Sequence, residues 1–166
     1  AERLLATGAQ EVLVAGLTDP QAVQQCAAAG EGAKVHLSIG GKLDRANGRP
    51  LEVSARVQRL SRAPRDPAGV PTMALIRTAG VSILLAADRR SFSDRASIAA
   101  AGIDPMQQKV VVVKLGLLMP DLYDHAPRAI MALSPGATDL RLEQLPYKRI
   151  ARPIYPLDGD LDWTPA

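Results

Sequence analysis

Strict alternation of apolar and polar residues marks two stretches of the chain, and continuous apolar runs mark others. From Lys34 to Ile39, Val35, Leu37 and Ile39 fall on one side of an extended chain and Lys34, His36 and Ser38 on the other, the period of a half-buried strand. Leu51 to Leu60 repeats it, with Leu51, Val53, Ala55 and Val57 together. Gly40-Gly41 and the loop from Asp44 to Pro50 join the two as a hairpin. Glu11 to Ala15, Thr72 to Arg77 and Val81 to Ala87 read as further strands, the last two meeting in a hairpin at Ala79-Gly80. Ser61 to Val70, with Pro64, Pro67 and Gly69, reads as a loop. Between Lys109 and Lys114 stand four consecutive valines. Such a β-branched run fits a strand buried on both faces, and predicts the central strand of the sheet.

Helical signals separate these strands. Glu2 to Thr7 predicts a short helix ending at Gly8. Thr18 or Asp19 caps a helix from Pro20 to Ala29, with proline at the first helical position and Gly30 as the stop. On it Val23, Cys26 and Ala27 share a face, so Cys26 reads as a packed thiol; a reactive one needs a cationic, partly open site. Asp94 to Ala101 predicts a helix capped from Ser91 or Ser93 and closed by Gly102, with Asp104-Pro105 turning into the valine strand. After that strand come Leu115 to Pro120, a helix near Asp121 to His125, and a last short strand from Ala129 to Leu133, broken by Ser134-Pro135-Gly136. From about residue 139 the prolines Pro146, Pro153, Pro156 and Pro165 predict an irregular tail. The expected fold is α/β: a mixed β-sheet with hairpins, flanked by helices, in a single domain over residues 1–166. The loop at 114–120 would leave the carboxyl end of the central strand, a favoured place for a site.

Composition narrows the classes. A chain of 166 residues can bury one sizeable core. Aromatics are only 3%, so that core must be built from Ala, Val, Leu and Ile. The net charge of +3 is mildly basic, but Phe92 and Trp163 are not interleaved with cations, and Arg56, Arg59, Arg62 and Arg65 recur every third residue, which no strand face collects. Nucleic acid is therefore not an expected partner. The single cysteine forbids an internal disulfide and fits a reducing compartment, so a cytoplasmic location is expected. No apolar run reaches membrane-spanning length and no signal peptide is visible. The chain starts at Ala1 inside a helix, which reads as a fragment or processed product.

Candidate chemistry is sparse. His36 lies on the polar side of a strand and reads as a surface residue. Asp121 and His125 are four apart, so on a helix they would share a face; a surface ion pair is favoured over a ligand pair, because zinc wants at least three protein ligands. Asp158 to Asp162 resembles the opening of a calcium loop, but Trp163 stands where that loop needs glycine. Gly40-Gly41 is not followed by a helix and so makes no phosphate loop, and neither a Gly-x-Ser-x-Gly elbow nor a Ser/His/Asp set is apparent.

An ordered set of short stretches does carry a resemblance. Pro50-Leu51-Glu52-Val53, Gly80 to Leu85, Gly102-Ile103-Asp104-Pro105, Val110 to Lys114, Pro135-Gly136-Ala137-Thr138, Leu145 to Arg149 and Arg152 to Asp158 follow one another as in the carboxy-terminal domain of microcystinase C (MlrC)-type metallopeptidases. The resemblance covers nearly the whole chain. It implies a bacterial two-domain hydrolase in which this half completes or covers an active cleft, while the zinc ligands come mainly from an amino-terminal domain that is absent here. No cofactor is expected within these residues. The expected partners are that domain and a peptide-like substrate; homo-oligomerisation is left open. The chain departs from the family after the valine strand, where Lys-Ser-Ser-x-His-Phe-Arg is usual: Lys114 is kept, but Leu115, Gly116, Leu117, Leu118 and Met119 follow. Ser134 stands where an aspartate is usual. Lys114 is the one candidate catalytic residue, a cation facing the cleft, or else a solvated lysine at a strand end. Leu115, Leu117, Leu118 and Met119 are the candidate interface. The rival function is a non-catalytic binding or assembly module working through that apolar loop.

Overall fold

The computed structural model describes residues 1–43, 46, 48–63, 66, 69–133 and 139–160. Asp44, Arg45 and Asn47 of the expected hairpin loop, Pro64, Arg65 and Pro67 of the proline-rich loop, the stretch 134–138, and Asp162, Trp163 and Pro165 lie outside the described residues. The chain divides into two compact units, Ala1–Ala129 and Ile130–Ala166.

The first unit holds a six-stranded mixed sheet in the order β2-β3-β4-β5-β1-β6. Its strands are β1 (Val12–Thr18), β2 (Lys34–Ile39), β3 (Leu51–Ser61), β4 (Met73–Thr78), β5 (Val81–Ala86) and β6 (Val110–Val113). Both expected hairpins form: β2 pairs antiparallel with β3, and β4 with β5, with Ala79 at φ +49° in the tight turn between the latter two. Strand β1 runs parallel to both β5 and β6.

The valine run is not the central strand. β6 pairs with β1 at the edge of the sheet, and Val110 and Val112 are 44% and 39% exposed. Only Val111 and Val113 pack inward. The strand buried at every position is β5, which has a neighbour on each side and apolar cover on each face. A continuous apolar run records tolerance of burial; the number of neighbours is set elsewhere in the chain.

The sheet is covered on both sides. Helix α1 (Glu2–Ala6) brings Leu4 and Leu5, and α2 (Pro20–Ala29) brings Ala22, Val23 and Cys26, onto one face, against Val12, Leu37, Val53, Ile76, Ile83 and Leu85. Helix α3 (Arg95–Ala99) and the one-turn α4 (Pro120–Tyr123) cover the other, where Ile98, Phe92 and Leu122 meet Leu13, Leu75 and Leu84. Helix α3 is shorter than its apolar pattern, and its cap is Asp94, which accepts from the Ser97 N–H at 2.7 Å, not Ser91 or Ser93. The helix begins at Arg95, which puts Asp94, three residues before the Ser97 N–H, in the cap position.

In the second unit the expected strand at Ala129 to Leu133 does not form; Ile130, Met131 and Leu133 are exposed and irregular. A short 3-10 turn spans Leu142–Gln144. The stretch from Arg152 to Asp158 closes on itself: Asp158 accepts from the Arg152 guanidinium and from the Ile154 N–H at 2.7 Å. This pins the Asp158 carboxyl low, at about 2, chiefly through Arg152.

Candidate functional site

Three parallel strands, β5, β1 and β6, end on one edge of the sheet, and that edge gathers the polar side chains with the most elaborate partnerships. Backbone geometry prepares it. Strand β1 carries a bulge between Ala15 and Leu17, with Gly16 at φ +87°. A β-carbon at Gly16 would lie 3.0 Å from Phe92 Cδ2, so glycine serves both the backbone angle and the packing of that ring. Beyond the bulge the Asp19 N–H donates to the Ala86 carbonyl (2.8 Å) and the Thr18 hydroxyl to the Asp88 carbonyl (3.3 Å), holding the β1 and β5 ends together.

Asp19 is buried, and its carboxylate is fully engaged. It accepts from the Ala22 N–H (3.1 Å), the Gly40 N–H (3.0 Å) and the Lys42 ammonium (2.9–3.0 Å). With every lone-pair direction spoken for, it ties β1, α2 and the β2 end together and is not a free base. After β5, Arg90 reaches Asp88 (2.5 and 2.7 Å) and Asp66 (2.9 and 3.2 Å) at once. Asp66 also accepts from the Thr72 hydroxyl and the Ala63 N–H. The Arg90 guanidinium holds both carboxyls below the usual range and is itself raised by them. This clamp fixes the loop after β3 against the loop after β5; composition and spacing gave no signal for it, because Asp66 stands 24 residues before Arg90.

After β6, Lys114 is exposed, and among the described residues no carboxylate lies within ion-pair distance of it. The loop beyond is split in direction. Leu118 packs against the cluster that contains Leu122, Leu115 is half-buried, and Leu117 and Met119 are 76% and 44% exposed.

The remaining candidates lie elsewhere. His36 is on the surface, 3.2 Å from the Ser54 hydroxyl and 3.5 Å from Glu52. The expected Asp121–His125 ion pair does not form. The Asp121 carboxylate takes the Arg95 N–H (2.7 Å) and Nε (3.0 Å), while the His125 ring bonds the Asp121 backbone carbonyl (3.0 Å). Because α4 is a single turn, the ring reaches the free carbonyl at its end more readily than a side chain already held by Arg95. Cys26 is packed under α2, and burial, helped by Asp19, pushes its thiol up to about 11. Among the described residues no group of three His, Cys, Asp or Glu side chains is placed to hold a metal, and no helix is long and apolar enough to cross a membrane.

A mixed sheet with helices on both faces and a polar carboxyl edge defines an α/β domain whose described residues lack a metal-ligand set. The family model described as the MlrC C-terminus matches residues 1–149, and the chain belongs to that family. It is similar to Microcystinase C from Sphingomonas sp., at 27% identity over 147 residues. That match covers 84% of this chain and 28% of the relative. It is also similar to the crystal structure of a "Putative metallopeptidase" from Mesorhizobium sp. BNC1, with a TM-score of 0.71 and 26% identity over 98% of this chain. The chain spans 34% of that protein and 28% of Microcystinase C, well under half of each relative's length.

Proposed function

We propose that the chain acts as the C-terminal domain of a zinc metallopeptidase-like hydrolase of the bacterial cytoplasm, completing or covering a cleft whose metal ligands lie on a preceding domain. The observation that carries this reading is Lys114: an unpaired, exposed cation at the carboxyl edge of three parallel strands, in a domain matched to the MlrC C-terminus. The described residues do not fit a zinc site. His36 and His125 have local partners and the Cys26 thiol is buried, so no zinc step is assigned to this chain. What Lys114 can supply is charge, pairing with a carboxylate or a developing negative oxygen of a peptide-like substrate held against the other domain.

Lys114→Met in the longer protein is expected to lower kcat/KM on a peptide substrate at least about tenfold, or about 1.4 kcal/mol, with zinc content unchanged. An unchanged kcat/KM would remove Lys114 from the site. The 166-residue chain alone is expected to purify without stoichiometric zinc and to cleave no peptide. Metal-dependent turnover by it would overturn the assignment of the metal to a preceding domain.

A second reading has its own observation. Leu117 and Met119 stand out into solvent beside half-buried Leu115 and Leu118, as in a surface built for a protein partner. On that reading the domain is a non-catalytic assembly module, and Lys114→Met changes nothing but solubility.

A further inference from the structure

The second face of the sheet is covered by helices only over β4, β5, β1 and β6. Over β2 and the first half of β3, as far as Arg56, it is open, and there the cross-strand register sets Lys34 opposite Arg56 and Arg56 opposite Arg77. All three are exposed. Neighbouring strands lie about 4.8 Å apart, so the row spans roughly 10 Å. Like charges placed directly opposite destabilise a sheet, and such a row calls for a compensating charge. The chain does not supply one: among the described residues none of the three has a carboxylate within ion-pair distance. Arg56 donates to the Gly32 carbonyl (2.6 Å). The carboxylates at the margins are engaged elsewhere, Glu52 with His36 at 3.5 Å and Glu11 with Lys109 at 2.6 Å, though Arg77 adds a weak pull on Glu11.

Around the row lies an open concavity of about 570 Å³, to which Ser54, Thr78 and His36 add hydroxyl and imidazole groups. The backbone N–H groups of β3 are turned to the strands on either side, so recognition there falls to side chains. We propose that this face docks an acidic protein segment, an extended stretch of glutamates and aspartates. In such a stretch alternate side chains lie about 6.8 Å apart on one side and can meet two cations of the row at once. A wide, open hollow cannot enclose a small anion, and no Phe, Tyr or Trp side chain lines it to stack a base. The row lies toward the amino ends of β5 and β1, the opposite edge from Lys114, so the inference stands apart from the function proposed above.

The test is fluorescence anisotropy of a labelled oligoglutamate peptide on the full 166-residue chain, with an oligoglutamine peptide and a short DNA duplex as rivals. The glutamate peptide is expected to bind at least about tenfold tighter than the glutamine one at low ionic strength and to weaken as salt rises. The triple variant Lys34→Gln, Arg56→Gln, Arg77→Gln is expected to lose that preference while melting within about 3 °C of the wild type, the relief of repulsion offsetting the lost Arg56–Gly32 bond. Arg3→Gln, Arg128→Gln, Arg149→Gln removes the same charge elsewhere and should keep it. If the triple variant does not fold, Arg77→Gln alone should cost about threefold. Equal binding of the two peptides, tighter binding of the duplex, or equal loss in the control variant would each overturn the proposal.

Discussion

Asp19 is the residue on which three segments converge, and its consequences can be worked out from its partners alone. Its carboxylate serves the α2 N-terminus, the Gly40 N–H and the Lys42 ammonium from a buried position. Asp19→Ala removes the helix cap, worth about 0.5–2 kcal/mol, and strands at least one further buried donor, about 1–3 kcal/mol. A loss of about 2–4 kcal/mol in urea unfolding is expected, with Asp19→Asn recovering part of it; a loss below about 0.5 kcal/mol would mean that water replaces the carboxylate freely. Arg90 makes a different kind of tie, one that shows in the pH dependence. It holds Asp66 and Asp88 below their unfolded value of about 3.9, so the folded state binds fewer protons than the unfolded chain in that range. The clamp therefore stabilises the fold fully above about pH 4–5, and that contribution is lost as the pH falls through the lowered folded values. Arg90→Met should lower the urea midpoint at neutral pH and flatten its decline below about pH 4. A parallel decline in wild type and variant would show that the clamp is not coupled to folding.

At the scale of elements, the stretches with a clear period were legible and those that depend on neighbours were not. Strands β2 and β3 followed from alternation, α2 from its Asp-Pro start and glycine stop, and the β4–β5 hairpin from Ala79-Gly80. The rank of β6 in the sheet was not legible: Val110 to Val113 and Val81 to Ala86 are both continuous apolar runs, yet one is an edge and the other is flanked on both sides. The place of Lys114 directly after the valine strand was readable, whereas the Asp66–Asp88–Arg90 clamp depends on loops that approach only in the fold. The direction of each leucine after Lys114 was equally hidden, because a loop has no period. The structure now separates them. Leu118→Ser strips an apolar side chain from the cluster around Leu122 and should cost about 1–3 kcal/mol, read as a lower melting temperature. Leu117→Ser, at a position 76% exposed, should leave melting nearly unchanged. Equal effects from both would mean that the loop packs as a unit.

For the whole molecule, the two edges of the sheet make unequal demands on their surroundings. The β2 edge is polar on its outer face and can stand in water, with Lys34, His36 and Ser38 turned outward. The β6 edge leaves Val110 and Val112 partly bare, and Leu117 and Met119 follow in the same part of the chain. Natural sheets blunt exposed edges with charge, and here Lys109 and Lys114 do so only at the two ends of the strand. On the proposed function, this bare apolar surface is where a preceding domain would pack. With the proposed preceding domain produced as a separate chain, the 166-residue chain should bind it, and Leu117→Ser with Met119→Ser should weaken that binding at least about tenfold, or about 1.4 kcal/mol. The same double change should leave the melting temperature of the 166-residue chain within about 2 °C of wild type, because neither side chain belongs to a buried cluster. Calorimetric titration and thermal melts would measure the two effects independently. Full-strength binding by the double variant would move the interface away from this edge, and a large drop in melting would return both residues to the core.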